Sequence, residues 1–334
     1  MAYPLEKQKG RFIAVFWVIF NLGAVIGALV PLAQNLHSTA PEVNDGTYYA
    51  FIALMLFGFL LACCACNPHF VVRKDGSRVI LMKQPTWKSE FIGLFETLRS
   101  DWYIVFLFPF FLASNWFYTY HFQDVNFAYY NTRTRALNSV LYWSMQMVGA
   151  LIFGTFLDMG RLSRRTRAKV GLAALFTLTM AIWGGGYAFQ KTYTRAMTEA
   201  EDYQKKDFQD SGYIGPMFLY MFYGFYDAAF QTTAYWIIGS LSNNGRKLAN
   251  FAGFYKGIQS AGGSISPSID AEKVAFMTEF AANWGLLAGS ILIAAPVVWM
   301  KVTNHTELEK DLVFTDETRE EVVATDPTAT DAKH

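Results

Sequence analysis

Long apolar runs of about 20 residues, separated by short charged segments, dominate the hydrophobic pattern of the chain. An α-helix satisfies its own backbone hydrogen bonds in lipid, and about 20 helical residues cross about 30 Å of hydrocarbon. The pattern therefore predicts an all-α polytopic membrane protein with eight transmembrane helices. Their predicted ranges are 12–34, 48–67, 102–122, 136–158, 169–189, 213–240, 248–268 and 274–300.

The loop lengths divide these helices into two unequal groups. Residues 1–67 hold two helices, and residues 102–300 hold six. Between them, 68–101 forms the longest connection, in which a short amphipathic helix from about Ser89 to Ser100 is predicted to lie on the membrane face. The polar, acidic tail 301–334 has no sustained apolar period and is predicted to be disordered.

Lysine and arginine are distributed unevenly between the two sets of loops. Sixteen of them lie in the N-terminal stub, the 68–101 connection and the turns after the fourth and sixth helices, whereas the opposite loops hold seven. Cytoplasmic loops of membrane proteins carry the excess of basic residues. The sequence therefore predicts that both termini are cytoplasmic, which agrees with an even number of spans.

Composition supports a membrane protein and excludes several other classes. Of the 334 residues, 53% are hydrophobic and only 16% are charged, against about 25% charged in a soluble domain. Three clustered cysteines, Cys63, Cys64 and Cys66, are interpreted as helix-packing thiols, with palmitoylation near the cytoplasmic face as the alternative. They lack the ligand number and spacing of a zinc site.

No enzyme signature is present in the sequence. The chain has no phosphate-binding glycine loop, no Gly-x-Ser-x-Gly elbow and no His-Glu-x-x-His motif. Its five histidines are scattered, with His121 at a predicted membrane edge. We therefore expect no catalysis, no cofactor, no bound metal and no nucleic-acid partner.

The stretch GTFLDMGRLSRRTRAK after the fourth helix carries the strongest motif. A glycine permits close helix approach, an aspartate ends the helix, and a Gly-Arg pair makes a tight turn before further arginines. The stretch resembles the Gly-x-x-x-Asp-x-x-Gly-Arg-Arg loop of the major facilitator superfamily, with one residue fewer between its Asp and its second Gly. That resemblance implies a charge network that latches two conformations; the alternative is a basic cluster after a helix-stopping Asp. The motif residues are Gly154, Asp158, Gly160, Arg161, Arg164 and Arg165.

Two further segments resemble one branch of that superfamily. Residues 3–35, YPLEKQKGRFIAVFWVIFNLGAVIGALVPLAQN, and 252–260, AGFYKGIQS, are similar to helices of UNC93-like proteins, especially fungal ones. The resemblance implies that the eight spans correspond to helices five to twelve of a twelve-helix fold, without the first four. Either a truncated gene product or a short form that pairs with another chain agrees with that register.

Five polar residues within predicted helices are candidates for a cavity or coupling site, because ionisable groups in a membrane are expensive and often functional. Counting about 1.5 Å per residue puts Lys256 about 12 Å, Gln231 about 13 Å and Asp227 about 19 Å from the shared cytoplasmic turn. An Asp227–Lys256 ion pair, snorkelling of the lysine, and a substrate or proton-coupling role all agree with that count. The candidates are Asp227, Gln231, Lys256, Gln259 and Asn115.

Small residues suggest how the seventh helix is oriented. Gly253, Gly257 and Ala261 recur every four residues and predict a stripe for close helix contact. Lys256 and Gln259 lie on the adjoining stripe, which is then free to face a cavity. Other polar residues within the spans are interpreted as interhelical hydrogen-bonding groups, namely Gln146, Glu279 and Asn283.

The resemblance implies two functions of different classes. The first is transport of a small solute by alternating access. The alternative is a non-transporting regulator or trafficking chaperone of other membrane proteins. The expected partners are the lipid bilayer, a solute or a partner membrane protein, and a second chain if the short form is real.

Overall fold

The structure is a computed structural model, and it describes residues 8–36, 45–65, 86–242 and 245–305. Within these ranges the regular structure is helical, and the one β-type contact is an isolated bridge between Tyr130 and Lys206. The helices are α1 (Lys9–Asn35), α2 (Asp45–Cys63), α3 (Trp87–Ser100), α4 (Phe108–Thr119), α5 (Thr132–Leu157), α6 (Arg164–Gln190), α7 (Arg195–Thr198), α8 (Ile214–Leu241), α9 (Gly245–Ala271) and α10 (Phe276–Lys301).

Each of the eight predicted spans coincides with a helical segment. Among the described residues, five helices are both long and apolar enough to cross a membrane: α1, α2, α5, α6 and α10. The other three predicted spans are helical, but their polar residues or short length keep them outside that group, so eight crossings stay a prediction. The chain is a helical membrane protein with several apolar spans.

The predicted span 102–122 is built from three kinds of helix. A 3₁₀ segment, Trp102–Leu107, leads into α4, which has Pro109 in its first turn, and a π-helical segment, Tyr120–Phe127, follows. Proline suits the first turn of an α-helix because no intrahelical acceptor is needed there. The π segment buries Tyr120, His121 and Asp124, which a hydrophobic pattern alone does not predict.

Packing around α5 and α8 organises the bundle. Helix α5 lies between α1 and α8, α4 packs along α9, and α10 packs on α6 and α4. The connection between α5 and α6, together with the start of α1 and the end of α10, defines what we call the motif end. The opposite end, with the α6–α8 connection and the start of α10, is the loop end.

Helix α2 lies outside this core. Thr47 is its one buried residue, and its apolar side chains are exposed along its length. Cys63 and Cys64 are exposed too, so they do not pack between described helices, and that interpretation of them is wrong. Cys66 lies outside the described residues, and palmitoylation stays a prediction.

The predicted amphipathic helix exists as α3, which begins two residues earlier than expected. It contacts the start of α9, where the Asn250 amide donates a hydrogen bond to Thr97 Oγ1 at 2.9 Å. Just after α3, Asp101 pairs with Lys247 Nζ at 2.6 Å. The placement of α3 on a membrane face stays a prediction. Most of the tail that was predicted to be disordered, 306–334, lies outside the described residues.

Candidate functional site

Two glycines set the crossing of α5 and α8 at the middle of the bundle. A Cβ atom on Gly149 would lie 2.5 Å from the Phe225 carbonyl oxygen, and one on Gly224 would collide with the Tyr142 backbone. Real Cβ atoms do not approach so closely, so only glycine allows the two backbones to touch here. This close approach carries the α5 side chains of Tyr142 and Gln146 to the α8 residue Asp227.

Asp227 lies half-way along α8 and is completely buried. The Tyr142 hydroxyl donates to its Oδ2 at 3.0 Å, and the Gln146 amide donates to the same oxygen. The Gln231 amide donates to Oδ1 at 2.7 Å. Three donors from the described residues converge on this carboxyl group, and a hydrogen bond to a charged acceptor contributes about 1.5–3 kcal/mol.

A run of amides continues from Asp227 towards α9. The Gln231 amide also donates to the Tyr118 hydroxyl at 3.0 Å, and its carbonyl oxygen accepts from the Gln259 amide at 3.0 Å. Gln259 is buried on α9, with the hydroxyl oxygens of Ser114 and Tyr255 each 3.0 Å from its Nε2. The two glutamines thus connect α8 to α9 through the core.

Lys256 forms the outer end of this run. Its ammonium donates to Gln259 Oε1 at 2.6 Å and lies 5.3 Å from the Tyr235 ring centre and 5.5 Å from that of Tyr255. The residue is exposed on the surface of the described bundle. Aromatic faces attract a cation at this range, so the ammonium has favourable contacts although it makes no direct contact with the Asp227 carboxylate.

Of the three alternatives for Lys256, the Asp227–Lys256 ion pair is not formed. Gln231 and Gln259 lie between the two side chains and connect them through a chain of three hydrogen bonds. The depth of a residue along its helix does not determine which way its side chain points around that helix. The lysine turns to the next residue on its own helix face rather than inward to α8.

His121 forms the other end of the run and is buried inside the bundle. Its Nδ1 lies 3.2 Å from the Tyr142 hydroxyl, and its ring stacks on Tyr223 at 4.2 Å. Because Tyr142 donates its proton to Asp227, the histidine Nδ1 must be the donor in this pair. Among the described residues, Nε2 has no hydrogen-bond partner. We call the series His121, Tyr142, Asp227, Gln231, Gln259 and Lys256 the polar track.

Asn115 and the small-residue stripe behave differently from expectation. Asn115 is half-buried beside Gly263 and does not join the polar track. Gly253 and Gly257 are exposed, and no atom of the described chain lies within 4 Å of a Cβ built on either, so the predicted packing stripe is wrong. Gly262 instead meets the Leu112 backbone, because the face of α9 that packs on α4 is rotated from the predicted one.

The loop motif joins α5 to the start of α1. A Cβ atom on Gly154 would lie 2.7 Å from the Gly10 carbonyl oxygen, which accounts for the glycine. Asp158 follows the last residue of α5, as expected, and accepts hydrogen bonds from the backbone N–H groups of Gly10 and Arg11 at 3.0 and 2.7 Å. A carboxylate at a helix N-terminus is favourable because it meets free N–H groups and the positive end of the helix dipole.

The arginines of the motif contact the far end of α10 rather than Asp158. Arg164 is buried and donates to the Thr303 carbonyl at 2.6 Å, and Arg165 donates to the Trp299 carbonyl at 3.2 Å. Gly160 and Arg161 lie exposed in the turn. The motif therefore ties α1, α5, α6 and α10 together at one end of the bundle.

Sequence reasoning did not assign Tyr142 or His121 to the site. Tyr142 and Gln146 are four residues apart and share one face of α5, and that spacing was the available signal for α5. No comparable signal exists for His121, because its position depends on the π-helical segment that holds it.

Known proteins similar to this chain agree with the membrane fold. An UNC93-like protein of Schizosaccharomyces pombe is 50% identical over 307 residues, which are 92% of this chain and 61% of that protein. UNC93-like protein 1 of Arabidopsis thaliana is 38% identical over 309 residues, 92% of this chain and 66% of that one. An uncharacterised membrane protein of Schizosaccharomyces pombe is 33% identical over 280 residues, 83% of this chain and 56% of that one.

The chain spans less than two thirds of the length of these relatives. No family model matches it, and no solved structure matches it.

Proposed function

We propose that the chain is a member of the UNC93-like family of membrane proteins, because an UNC93-like relative is 50% identical over 92% of it, and that it moves a small polar solute across a membrane by alternating access. The proposal takes the polar track as the solute-facing path. It takes the motif end as the latch between two conformations. No catalytic step is part of it.

The polar track is the observation that supports transport. It runs through the middle of an aromatic bundle. Burial of polar groups costs free energy there, and ionisable groups within membrane helices are often functional. Its members from Tyr142 to Gln259 are hydrogen-bonded to one another, whereas Lys256 stands exposed at its outer end. A solute with an anionic or hydrogen-bond-accepting group would find a cation flanked by two tyrosine rings there.

In this proposal the motif end is the contact that changes between the two conformations. Asp158 holds the start of α1 through two backbone hydrogen bonds, so a movement of α1 away from α5 would break both. The likeness of this loop to that of the major facilitator superfamily supports a related fold, in which the spans correspond to the later helices of a twelve-helix transporter. In that arrangement both termini are cytoplasmic. The chain lies in the lipid bilayer and transports either alone or together with a further chain.

Transport is tested by reconstitution into proteoliposomes. The probes are radiolabelled organic acids and amino acids, offered singly to vesicles that contain none of the probe. We expect one class to accumulate, and uptake to fall at least tenfold in Asp227→Asn and Lys256→Met. Two matched controls, Asp202→Asn and Lys191→Met, should retain uptake, because Asp202 is exposed and Lys191 lies over the Tyr187 ring away from the track.

A different result supports the other class of function. If correctly folded protein moves no probe, while partner membrane proteins co-purify equally with wild type and with both track variants, the transport proposal is wrong. A regulator or trafficking chaperone would behave in that way.

A further inference from the structure

A second cluster of charged side chains lies at the loop end, about half the bundle away from Asp227. Arg195 on α7 reaches into it, with Nη2 2.5 Å from an oxygen of Asp270 and 3.0 Å from one of Glu279. The Arg195 Nε donates to the Val274 carbonyl at 2.8 Å, and its guanidinium stacks 4.2 Å from the Phe276 ring centre. This set of contacts holds the guanidinium in one place.

Asp124 completes the cluster from the π-helical segment and is its least satisfied member. Its side chain is fully buried, and within the described chain neither carboxylate oxygen has a hydrogen-bond partner. The guanidinium of Arg195 comes only to 3.8 Å. A carboxylate without donors is strongly disfavoured in such surroundings, whereas a neutral carboxyl group is much less so.

The charges of the cluster do not balance. Oxygen atoms of Asp124, Asp270 and Glu279 lie within 4.8 Å of one another, and one guanidinium faces all three. Asp270 makes the closest contact with Arg195 and is the most exposed of the three acids. Asp124 and Glu279 are therefore left as two buried acids in close proximity, an arrangement in which one carboxyl group retains a proton.

Among the described residues, no cation other than Arg195 contacts the two buried acids. Lys273 pairs with Glu199 at 3.2 Å, and Glu199 is 3.8 Å from Arg195. Arg135 and Lys205 lie over the Phe127 ring instead. Among the described residues, Tyr120 and Tyr193 interact electrostatically with Asp124, and His121 lies on the same π-helical segment.

The cluster is better suited to a proton than to a metal ion. Three acids at this spacing resemble a cation site, but the guanidinium already lies against Asp270 and Glu279 where a metal would bind them. Glu279 also lines a small cleft with Trp116, Ser266 and Thr278. The cleft gives one of the two buried acids a route for exchange with water.

We propose that Asp124 and Glu279 form a proton-binding site, with Arg195 as the residue that positions Glu279. The proton-binding site is independent of the transport proposal. The further step, that this proton is the coupling ion, rests on the transport function proposed above.

Infrared difference spectroscopy of the purified protein in lipid nanodiscs tests the site directly. The C=O stretching band of a protonated carboxyl group should persist at about pH 7, far above the ordinary range of Asp and Glu, and shift to lower frequency in D₂O. Asp124→Asn should remove or displace this band, and Glu279→Gln should displace it. The matched control Glu272→Gln, an exposed acid near the same end of the bundle, should leave it unchanged.

Three outcomes would overturn the assignment. The first is a neutral-pH spectrum that neither substitution alters. The second is loss of the band when Mg²⁺, Ca²⁺ or Zn²⁺ is added, which would make the cluster a metal site. If Glu279→Gln does not fold, Glu279→Asp replaces it as the test, because this variant keeps the acid and should show the carboxyl band at a displaced frequency. A band at the wild-type frequency in Glu279→Asp would be the third outcome that overturns the assignment.

The same protein separates this proposal from the transport proposal. A carboxyl band with the expected response but no solute uptake supports the proton site and overturns transport. Uptake without the band, and without acceleration by an acid-outside pH gradient, supports transport and overturns the proton site.

Discussion

Two completely buried aspartates in one bundle have opposite surroundings. Asp227, in the middle of α8, receives hydrogen bonds from three neutral side chains on two helices. Asp124, in the π-helical segment near the loop end, receives none from the described residues and faces two other acids. Hydrogen-bond donors hold the first carboxyl group in place, whereas the second, which has none, suits a proton that comes and goes.

The difference shows why burial alone does not identify a functional acid. Both aspartates have 0% exposure, yet the donors around each one decide which ionisation state is the stable one. The amide and hydroxyl donors around Asp227 hold its carboxyl group in one geometry. A cluster with too few donors responds to the proton concentration instead.

Replacing Asp227 tests the hydrogen-bonded member of this pair of aspartates and should reduce the stability of the protein most. Asp227→Asn puts an amide where three donors converge, so at least one donor is left without an acceptor. We expect the variant to be less stable by about 3 kcal/mol, measured as a lower thermal unfolding temperature in detergent. A melting temperature equal to wild type would contradict the hydrogen-bonded arrangement.

Substitution of Gly224 tests how that arrangement is built. The Cβ of Gly224→Ala would collide with the Tyr142 backbone and push α5 from α8, which should cost about 2 kcal/mol. The control Gly285→Ala adds the same methyl group to an exposed position of α10 with no described atom within 4 Å. Because alanine favours helix over glycine by about 1 kcal/mol, the control should be stabilised. The same sign in both variants would contradict the close crossing.

Asp124→Asn should have a smaller effect of the opposite sign. The substitution removes one acid from a cluster with too few donors and retains the size of the side chain. We expect the melting temperature to be unchanged or raised by the equivalent of about 1 kcal/mol, with the larger gain at alkaline pH. A loss of stability comparable to that of Asp227→Asn would mean that Asp124 is a satisfied carboxylate.

A third aspartate, Asp207, lies in the α6–α8 connection, and its substitution should change the stability of the protein least. Partial burial by itself raises the pKa of Asp207, but hydrogen bonds from Arg133 and Asn131 outweigh it and lower the pKa below its ordinary value. Its contribution to stability is therefore present above the ordinary pKa of an aspartate and is lost as the pH falls through the lowered one.

Asp207→Asn should accordingly cost about 0.5 kcal/mol at neutral pH. The difference from wild type in thermal unfolding should vanish in acid. A difference that grows as the pH falls would contradict the sign of this shift.

The helices were largely predictable from the sequence. The predicted spans 12–34 and 213–240 coincide with α1 and α8 to within three residues at each end. Apolar runs determine these positions because the requirement for internal backbone hydrogen bonds acts on each segment by itself. The 3₁₀ and π segments on either side of α4 were not predicted, since they depend on how that stretch packs against α9 and α10.

The site was predictable in its members more than in its contacts. Asp227, Gln231 and Gln259 stood out as polar residues in apolar helices, and the structure brings all three together. The partners Tyr142 and His121 were missed, and so was the role of Arg195, which counts as an ordinary loop charge in the sequence. Long-range neighbours such as these leave no local pattern.

By itself, the sequence determined a helical membrane protein, the approximate ends of its helices, its likeness to UNC93-like proteins and the polar residues within its apolar segments. The tertiary structure decided which of those residues meet. Successive residues on a helix are rotated by about 100°, so a small rotation of α9 buries Gln259 and leaves Gly253, Gly257 and Lys256 exposed. Hydropathy fixes how far along a helix a residue lies, but only the packing of neighbouring helices fixes the direction in which it points.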